Sequence, residues 1–163
     1  RLKRALRFTA FGGAVLVAAG AALAANAPAR GKRMLSSMAP SFVESDDKLF
    51  AIGARGGSRI ITEVLLGILG YDAGLTPQQV SALPRFHHQW LPDVISAEPG
   101  ALDADTVKAL QAMGHTVNAA EPIWGDVETV LWDKRANTLS GGTDPRYPQG
   151  KADVQLTTQD ANR

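Results

Sequence analysis

The feature that most constrains the fold is a glycine turn at residues 53–61, which joins an apolar, strand-like run to a helical pattern. The turn has the sequence Gly-Ala-Arg-Gly-Gly-Ser-Arg-Ile-Ile. Upstream, apolar and aromatic residues flank the polar pair at 46–47, a pattern that predicts a β-hairpin. Downstream, apolar residues recur at helical spacing from Ile60, and Gly70 is the predicted helix stop. A strand therefore enters this turn and a helix leaves it.

The adjacent glycines Gly56 and Gly57 suit this turn for binding an anion. Without a Cβ they let the backbone approach a ligand, and a turn that opens a helix leaves unpaired N–H groups facing it. Such donors would hold a phosphate, a carboxylate or the oxyanion of an acyl-transfer intermediate. The alternative is that the glycines only make a tight corner. A phosphate-binding module is disfavoured, because the lysine that normally accompanies a phosphate loop is missing.

Composition bounds the classes of function. The chain has 163 residues, of which 45% are hydrophobic and 20% charged, enough for one domain with a core. A net charge of +1 and an aromatic content of 6% provide no basic patch and no stacking platform, so we expect no nucleic-acid partner. The absence of cysteine excludes disulfides, thiol catalysis and thiolate zinc sites. No cofactor is indicated.

Adjacent histidines, His87 and His88, suggest a metal at first sight. Neighbours in an extended segment point to opposite sides and cannot easily share one ion, and no third ligand cluster is nearby in the sequence. We therefore expect no metal site, and instead one imidazole that is buried and hydrogen bonded.

The N-terminal 25 residues are typical of an export signal. Basic residues precede an uncharged run at 8–25, and Ala22-Leu23-Ala24 offers a small-x-small cleavage pattern. Uncleaved, the run is just long enough to cross a bilayer. A signal peptide or signal anchor at 1–25, with membrane contact through 8–25, predicts an exported, periplasmic or membrane-anchored location; the alternative is a buried, Ala/Gly-rich helix. The chain starts with Arg1 rather than Met, so we also expect a fragment.

The remaining patterns predict a linker at 26–33, a domain at 34–146 and a polar tail at 147–163. Within the domain the predicted order is hairpin, helix, short helix capped by Thr76, strand, helix capped at Asp103, and two or three strands. This order predicts an α+β fold in which helices cover one face of a mainly antiparallel sheet. The other face would be exposed, and a free chain of this type would need a partner layer to bury it.

Paired hydroxyls at Ser36 and Ser37 stand shortly before Pro40. Serine both donates and accepts hydrogen bonds, so the pair would suit a small polar ligand. The alternative is a helix cap or a turn.

Four segments, in this order, resemble the C-terminal part of the small subunit of γ-glutamyltransferases, also called glutathione hydrolases. Each is short, but agreement of four in the correct order is improbable by chance. Together they cover about residues 25–154. The segments are residues 31–40 (GKRMLSSMAP), 53–61, 82–93 with the core PRFHHQWLP, and 142–146 (GTDPR).

The resemblance implies a partial N-terminal-nucleophile hydrolase with αββα layers. Members of the family cut themselves to expose a threonine, which takes the γ-glutamyl group from glutathione and passes it to water or an amino-acid acceptor. The resemblance implies that Gly56 and Gly57 supply the oxyanion-hole N–H groups. It also implies that Ser36 and Ser37 bind the polar end of the substrate, and that the partners are γ-glutamyl compounds such as glutathione.

The departures from the family pattern concern the nucleophile and the turn. The family's Thr-Thr-His-like stretch upstream of the paired serines is absent, and Thr9, inside the apolar run, is not assigned its role. Ala54-Arg55 replaces the usual Ser-Pro, and an arginine there would either attract a carboxylate or fill the site. We therefore expect a chain that lacks turnover alone and has a complementing large or nucleophile-bearing subunit as partner. The alternative is a catalytically inactive, exported or membrane-tethered remnant that acts as a binding or structural module.

Overall fold

A computed structural model describes residues 29–33 and 36–153 of the chain. It divides into two compact units, Arg1–Ser36 and Ser37–Arg163. The described residues of the first unit include a turn around Gly31, whose φ is 71°. The predicted export segment at 1–25 lies outside the described residues. Within the described ranges, no helix has the length and apolar character that a bilayer span requires.

The second unit is an α+β structure, as the sequence predicts. Across residues 37–153 it contains seven strands, three α-helices and a 3-10 helix at Gly57–Arg59. The strands are β1 (Ser41–Glu44), β2 (Lys48–Arg55), β3 (Phe86–His87), β4 (Ile95–Ala97), β5 (Val117–Asn118), β6 (Asp126–Asp133) and β7 (Thr138–Gly142), and the α-helices are α1 (Ile60–Asp72), α2 (Pro77–Ser81) and α3 (Ala104–Ala112).

Four strands form an antiparallel sheet in the order β1-β2-β6-β7. β1 and β2 make the predicted hairpin, with Phe42 opposite Ala51. β6 and β7 make a second hairpin, whose turn contains Asn137 with a φ of 51°. Asparagine is one of the few non-glycine residues that adopts this left-handed conformation readily. The mainly antiparallel sheet is therefore confirmed.

A second, smaller sheet in the order β3-β4-β5 was not foreseen, because the sequence pattern predicts only one sheet. β3 pairs with β4 in the antiparallel sense, and β4 pairs with β5 in the parallel sense. Parallel neighbours cannot be joined by a tight turn, and the chain between β4 and β5 contains α3. α3 therefore forms the crossover between β4 and β5.

The hydrophobic core lies between one face of the large sheet and the helices α1 and α2. Phe50 and Ile52 of β2 are 0% and 3% exposed, and they cluster with Ile60 and Val64 of α1. The ring of Tyr71 stacks on that of Phe50, with centroids 4.2 Å apart. Alternate residues of β2 point to this face, so burying them fixes which side of the sheet the helices cover.

The opposite face of the large sheet is apolar and exposed. Phe42, Val130 and Leu139 lie on it and are 71%, 48% and 48% exposed, and Trp132 is 38% exposed. These side chains alternate along their strands with the positions that face the helices. The structure therefore has the exposed sheet face that the sequence predicts.

Two helix ends show where local signals succeed and fail. Thr76 caps α2 as predicted, in a capping box with Gln79. Gly70 does not stop α1, which continues to Asp72. Gly70 is buried, and a Cβ there would press on Leu83, so it serves close packing. The left-handed residue after α1 is Gly74, with a φ of 90°.

The contact between β7 and α2 predicts a pair of glycine variants with different outcomes. A Cβ on Gly142 would meet the backbone of Pro77 and, at 2.6 Å, the nitrogen of Gln78, none of which can rotate away. A Cβ on Gly53 would meet nothing within 4 Å. We expect Gly142→Ala to lower the free energy of unfolding by about 1–3 kcal/mol, and Gly53→Ala to change it by less than about 0.5 kcal/mol. Urea denaturation of both variants measures this, and equal losses would contradict the packing described.

Candidate functional site

The twin-glycine turn connects β2 to α1 through the 3-10 helix. Gly57 has a φ of 63°, a left-handed conformation that favours glycine. Both glycines are exposed, and Gly56 O accepts a hydrogen bond from Arg59 N at 3.3 Å. Within the part of the chain that the structure describes, neither the Gly56 nor the Gly57 N–H donates to another residue. The two amides are therefore available to an external acceptor.

A chain of side-chain hydrogen bonds holds the residue after the glycines. Ser58 Oγ donates to Gln89 Oε1 at 2.8 Å, and the same oxygen lies 3.0 Å from His87 Nε2. Gln89 Nε2 donates to Leu91 O at 2.8 Å, which sets the orientation of the amide. Since Gln89 Oε1 only accepts, the bonding pattern assigns the hydrogen of His87 to Nε2 and leaves Nδ1 to accept from the Thr62 hydroxyl at 2.8 Å. The turn, α1 and β3 are thereby linked.

The predicted buried imidazole is His87, which is 7% exposed and bonded as described. His88 is partly exposed and pairs through Nε2 with Asp93 Oδ1 at 2.9 Å. Over residues 29–33 and 36–153, no group of three or more His, Asp or Glu side chains is arranged to hold a metal ion.

Arg55, where the chain departs from the family pattern, does not point freely at the turn. Its Nε lies 2.7 Å from Asp126 Oδ2, and its guanidinium stacks over the Tyr147 ring at 4.1 Å from the centroid. Both contacts direct the positive charge towards β6 and the segment after β7. The arginine is thus engaged by this chain's own residues.

Glu63 has a buried carboxyl that lies next to Gly56 of the turn. The residue lies in the first turn of α1 and is 2% exposed. A Cβ built on Gly56 would be 2.5 Å from Glu63 Oε1, and one built on Gly125 would also collide with this carboxyl. Neither carboxyl oxygen has a hydrogen-bond partner among the described residues. Burial raises the pKa of Glu63 from 4.5 to about 7, against the opposing effect of the Arg85 charge.

Sequence reasoning missed Glu63, although its signal was present. It stands three residues after Ile60 and directly before Val64, both of which face the core. An acidic residue at that helical spacing lies next to an apolar stripe and is expected to be buried or partnered. Its closeness to Gly56 and Gly125 depends on tertiary structure, which the local pattern does not contain.

A buried network of two arginines and two carboxylates connects two of the segments that the sequence singled out. Arg85 Nη2 bonds Asp144 Oδ2, and Arg146 Nη2 bonds Glu98 Oε2. Arg146 also reaches Asp144 Oδ1 through Nη1 at 3.1 Å and Glu98 Oε1 through Nε at 3.0 Å. All four side chains are at least nine-tenths buried. The network joins the Pro-Arg-Phe segment to the Asp-Pro-Arg segment.

The network also holds backbone next to the turn. Arg85 Nη1 donates to Trp124 O at 2.6 Å, and Trp124 N donates to Glu98 Oε1 at 3.2 Å. Val127 N donates to Asp144 Oδ2 at 3.0 Å. Burial alone would raise the pKa of Asp144, but hydrogen bonds from Arg85 and from the Arg146 and Val127 amides hold it below its usual value.

The four residues predicted to form the site lie on two different segments of the chain. Gly56 and Gly57 form the exposed turn described above. Ser37, the first residue of the second unit, is half-buried and precedes β1, and Ser36 is the last residue of the first unit and is exposed. The assignment of the serines to substrate and of the glycines to an oxyanion stays a prediction.

Similar solved structures are gamma-glutamyltranspeptidases, which have the N-terminal-nucleophile hydrolase fold, and the large antiparallel sheet with helices on one face corresponds to part of that fold. The chain matches the family model described as Gamma-glutamyltranspeptidase over residues 7–154. It therefore belongs to the gamma-glutamyltranspeptidase family.

Individual relatives agree with this assignment. The chain is 42% identical over 124 residues to the glutathione hydrolase proenzyme of Escherichia coli (strain K12), covering 75% of this chain and 21% of that protein. It is 43% identical over 138 residues to the glutathione hydrolase proenzyme of Pseudomonas sp. (strain A14), covering 78% and 24%. The structure of an acivicin-inhibited gamma-glutamyltranspeptidase matches with a TM-score of 0.67 at 38% identity, covering 76% of this chain and 67% of that one. The chain thus spans about a fifth to a quarter of the length of these curated relatives.

The buried network predicts a large loss of stability for Asp144→Asn. Removing one charge leaves Arg85 buried without its partner, which costs about 3–5 kcal/mol. Because the pKa of Asp144 is depressed below 3.8, this contribution is present above about pH 4 and is lost as the pH falls through the folded pKa. Urea denaturation at pH 7 and pH 3 measures both effects. The control is Asp93→Asn, whose side chain is 80% exposed; a loss as large in the control would contradict the role of the network.

Glu63 predicts a pH dependence of the opposite sign. Its pKa is raised on folding, so the associated stability is fully present below pH 4.5 and is lost as the pH rises through about 7. We expect the free energy of unfolding to fall between pH 4.5 and pH 8 by about 3 kcal/mol more in the wild type than in Glu63→Gln. Parallel curves for the two proteins would show that Glu63 ionises normally.

Proposed function

We propose that this chain is part of a γ-glutamyl acyl-transfer enzyme. The enzyme takes the γ-glutamyl group from glutathione and passes it to water, which is hydrolysis, or to an amino-acid acceptor. The chain supplies the oxyanion-hole and substrate-orienting part. The observation that carries this proposal is the exposed turn of Gly56 and Gly57, whose amides donate to no other described residue, in a member of this family.

The chemistry follows from the direction of charge development. When a nucleophile attacks the γ-amide carbonyl, negative charge builds on its oxygen, and the N–H groups of Gly56 and Gly57 donate to that oxygen. Donors that are already in place stabilise such charge by about 3–4 kcal/mol each. The link from Ser58 through Gln89 to His87 supports prearrangement of the turn. Ser36 and Ser37 orient the glutamyl group so that its distal amide meets the nucleophile.

The proposal requires a nucleophile from outside residues 1–163, and a complementing subunit would supply it. The sequence lacks the Thr-Thr-His-like stretch, and an N-terminal threonine activated by its own amine is the group that this chemistry requires. The exposed apolar face of the large sheet, with Phe42, Val130 and Leu139, supports a partner layer. The export-like segment at 1–25 supports an exported, periplasmic or membrane-anchored location.

The second candidate is a catalytically inactive remnant that binds γ-glutamyl compounds or serves as a structural module. The missing nucleophile stretch favours it. The two functions differ in turnover after complementation, since only the first predicts product release.

Complementation tests the proposal. The full chain is mixed with a chain bearing a free N-terminal threonine, and release of p-nitroaniline from γ-glutamyl-p-nitroanilide is followed. We expect activity above that of either chain alone, and a loss of at least about tenfold in kcat for Gly57→Ala, because a Cβ enters the anion site. Gly74→Ala is the matched control, since Gly74 also has a positive φ and open space around it but lies beyond the far end of α1. Binding of L-glutamate by calorimetry without any turnover would favour the remnant.

A further inference from the structure

The carboxyl of Glu63 is placed to act on the anion-binding turn. The ideal Cβ position of Gly56 lies 2.5 Å from Glu63 Oε1, so this oxygen is within about 4 Å of the Gly56 Cα. The turn approaches so closely only because Gly56 has no side chain. Glu63 is thus a close neighbour of the backbone that would hold an anion.

Every cation described near Glu63 is engaged elsewhere. Arg85 and Arg146 act on it through space, but they pair with Asp144 and Glu98, whose charges oppose them. On the neighbouring elements, Arg55 pairs with Asp126 at 2.7 Å and Arg59 with Glu121 at 3.0 Å. His87 bonds Thr62, the residue before Glu63. No described residue forms a salt bridge or a hydrogen bond with the Glu63 carboxyl.

We propose that Glu63 is a positioning residue whose charge state sets the anion affinity of the Gly56–Gly57 turn. The neutral acid leaves the field of the two amides intact, and an anion binds in front of them. Loss of the proton to solvent puts a negative charge close to the same turn and repels that anion. This inference rests on the proposed function and adds a side chain that regulates anion binding at its site.

The direction and the pH range follow from the environment of the carboxyl. Burial raises the pKa of Glu63 to about 7, so the acid is mostly neutral at pH 6 and mostly ionised at pH 8. Two negative charges a few ångströms apart, in a partly buried site, disfavour each other by roughly tenfold or more in affinity. By reciprocity, a bound anion also shifts the proton equilibrium of Glu63 towards the neutral form.

The experiment measures binding of L-glutamate to the full chain by calorimetry at pH 6 and pH 8. We expect the Kd of the wild type to be about tenfold weaker at pH 8, and that of Glu63→Gln to be the same at both pH values. Glu128→Gln, an exposed glutamate on β6, is the control and should keep the wild-type dependence.

A second readout does not require a ligand. In the wild type the amide resonances of Gly56 and Gly57 should shift with a midpoint near pH 7, and in Glu63→Gln they should not. A Kd that is equal at pH 6 and pH 8 in the wild type, or a pH dependence retained in Glu63→Gln, would overturn this inference and leave the proposed function standing. Absence of binding at both pH values in every variant would also overturn this inference, whereas the proposed function is overturned only if complementation yields no product.

Discussion

The buried network of Arg85, Glu98, Asp144 and Arg146 is the interaction on which the arrangement of the site depends. It joins parts of the chain 48 and 59 residues apart, and its carboxylates also bind backbone N–H groups at 124 and 127. Removing four charges from water is costly, so the network adds less net stability than its bonds suggest. Its main effect is to require one geometry, because any other would leave a buried charge without a partner.

The network constrains the glycine turn through two successive contacts. Trp124 is held at both its N–H and its carbonyl oxygen by the network, and this fixes the next residue, Gly125. Gly125, which precedes β6, and Gly56, which follows β2, both lie against the carboxyl of Glu63. A side chain at either glycine would occupy the space of that carboxyl. The glycine turn, the Glu63 carboxyl and the buried ion pairs are therefore connected through direct contacts.

The sequence predicts those features that arise between near neighbours, and it misses those that need distant partners. The hairpin around 46–47, the capping box at Thr76 and the glycine turn each depend on a few adjacent residues, and the structure has them. Gly70 shows the limit of such reasoning, because its small size serves contact with Leu83 and not the end of a helix. The second sheet, the ion network and the surroundings of Glu63 all require knowledge of which segments meet.

The exposed face of the large sheet has a consequence for the chain in solution. Among the described residues, its outer strands β1 and β7 each pair with only one neighbouring strand, and Phe42 and Leu139 lie on them. Apolar strands with an unprotected edge attract further strands, including those of identical molecules. We therefore expect the isolated polypeptide to self-associate through these strands unless another surface covers them first.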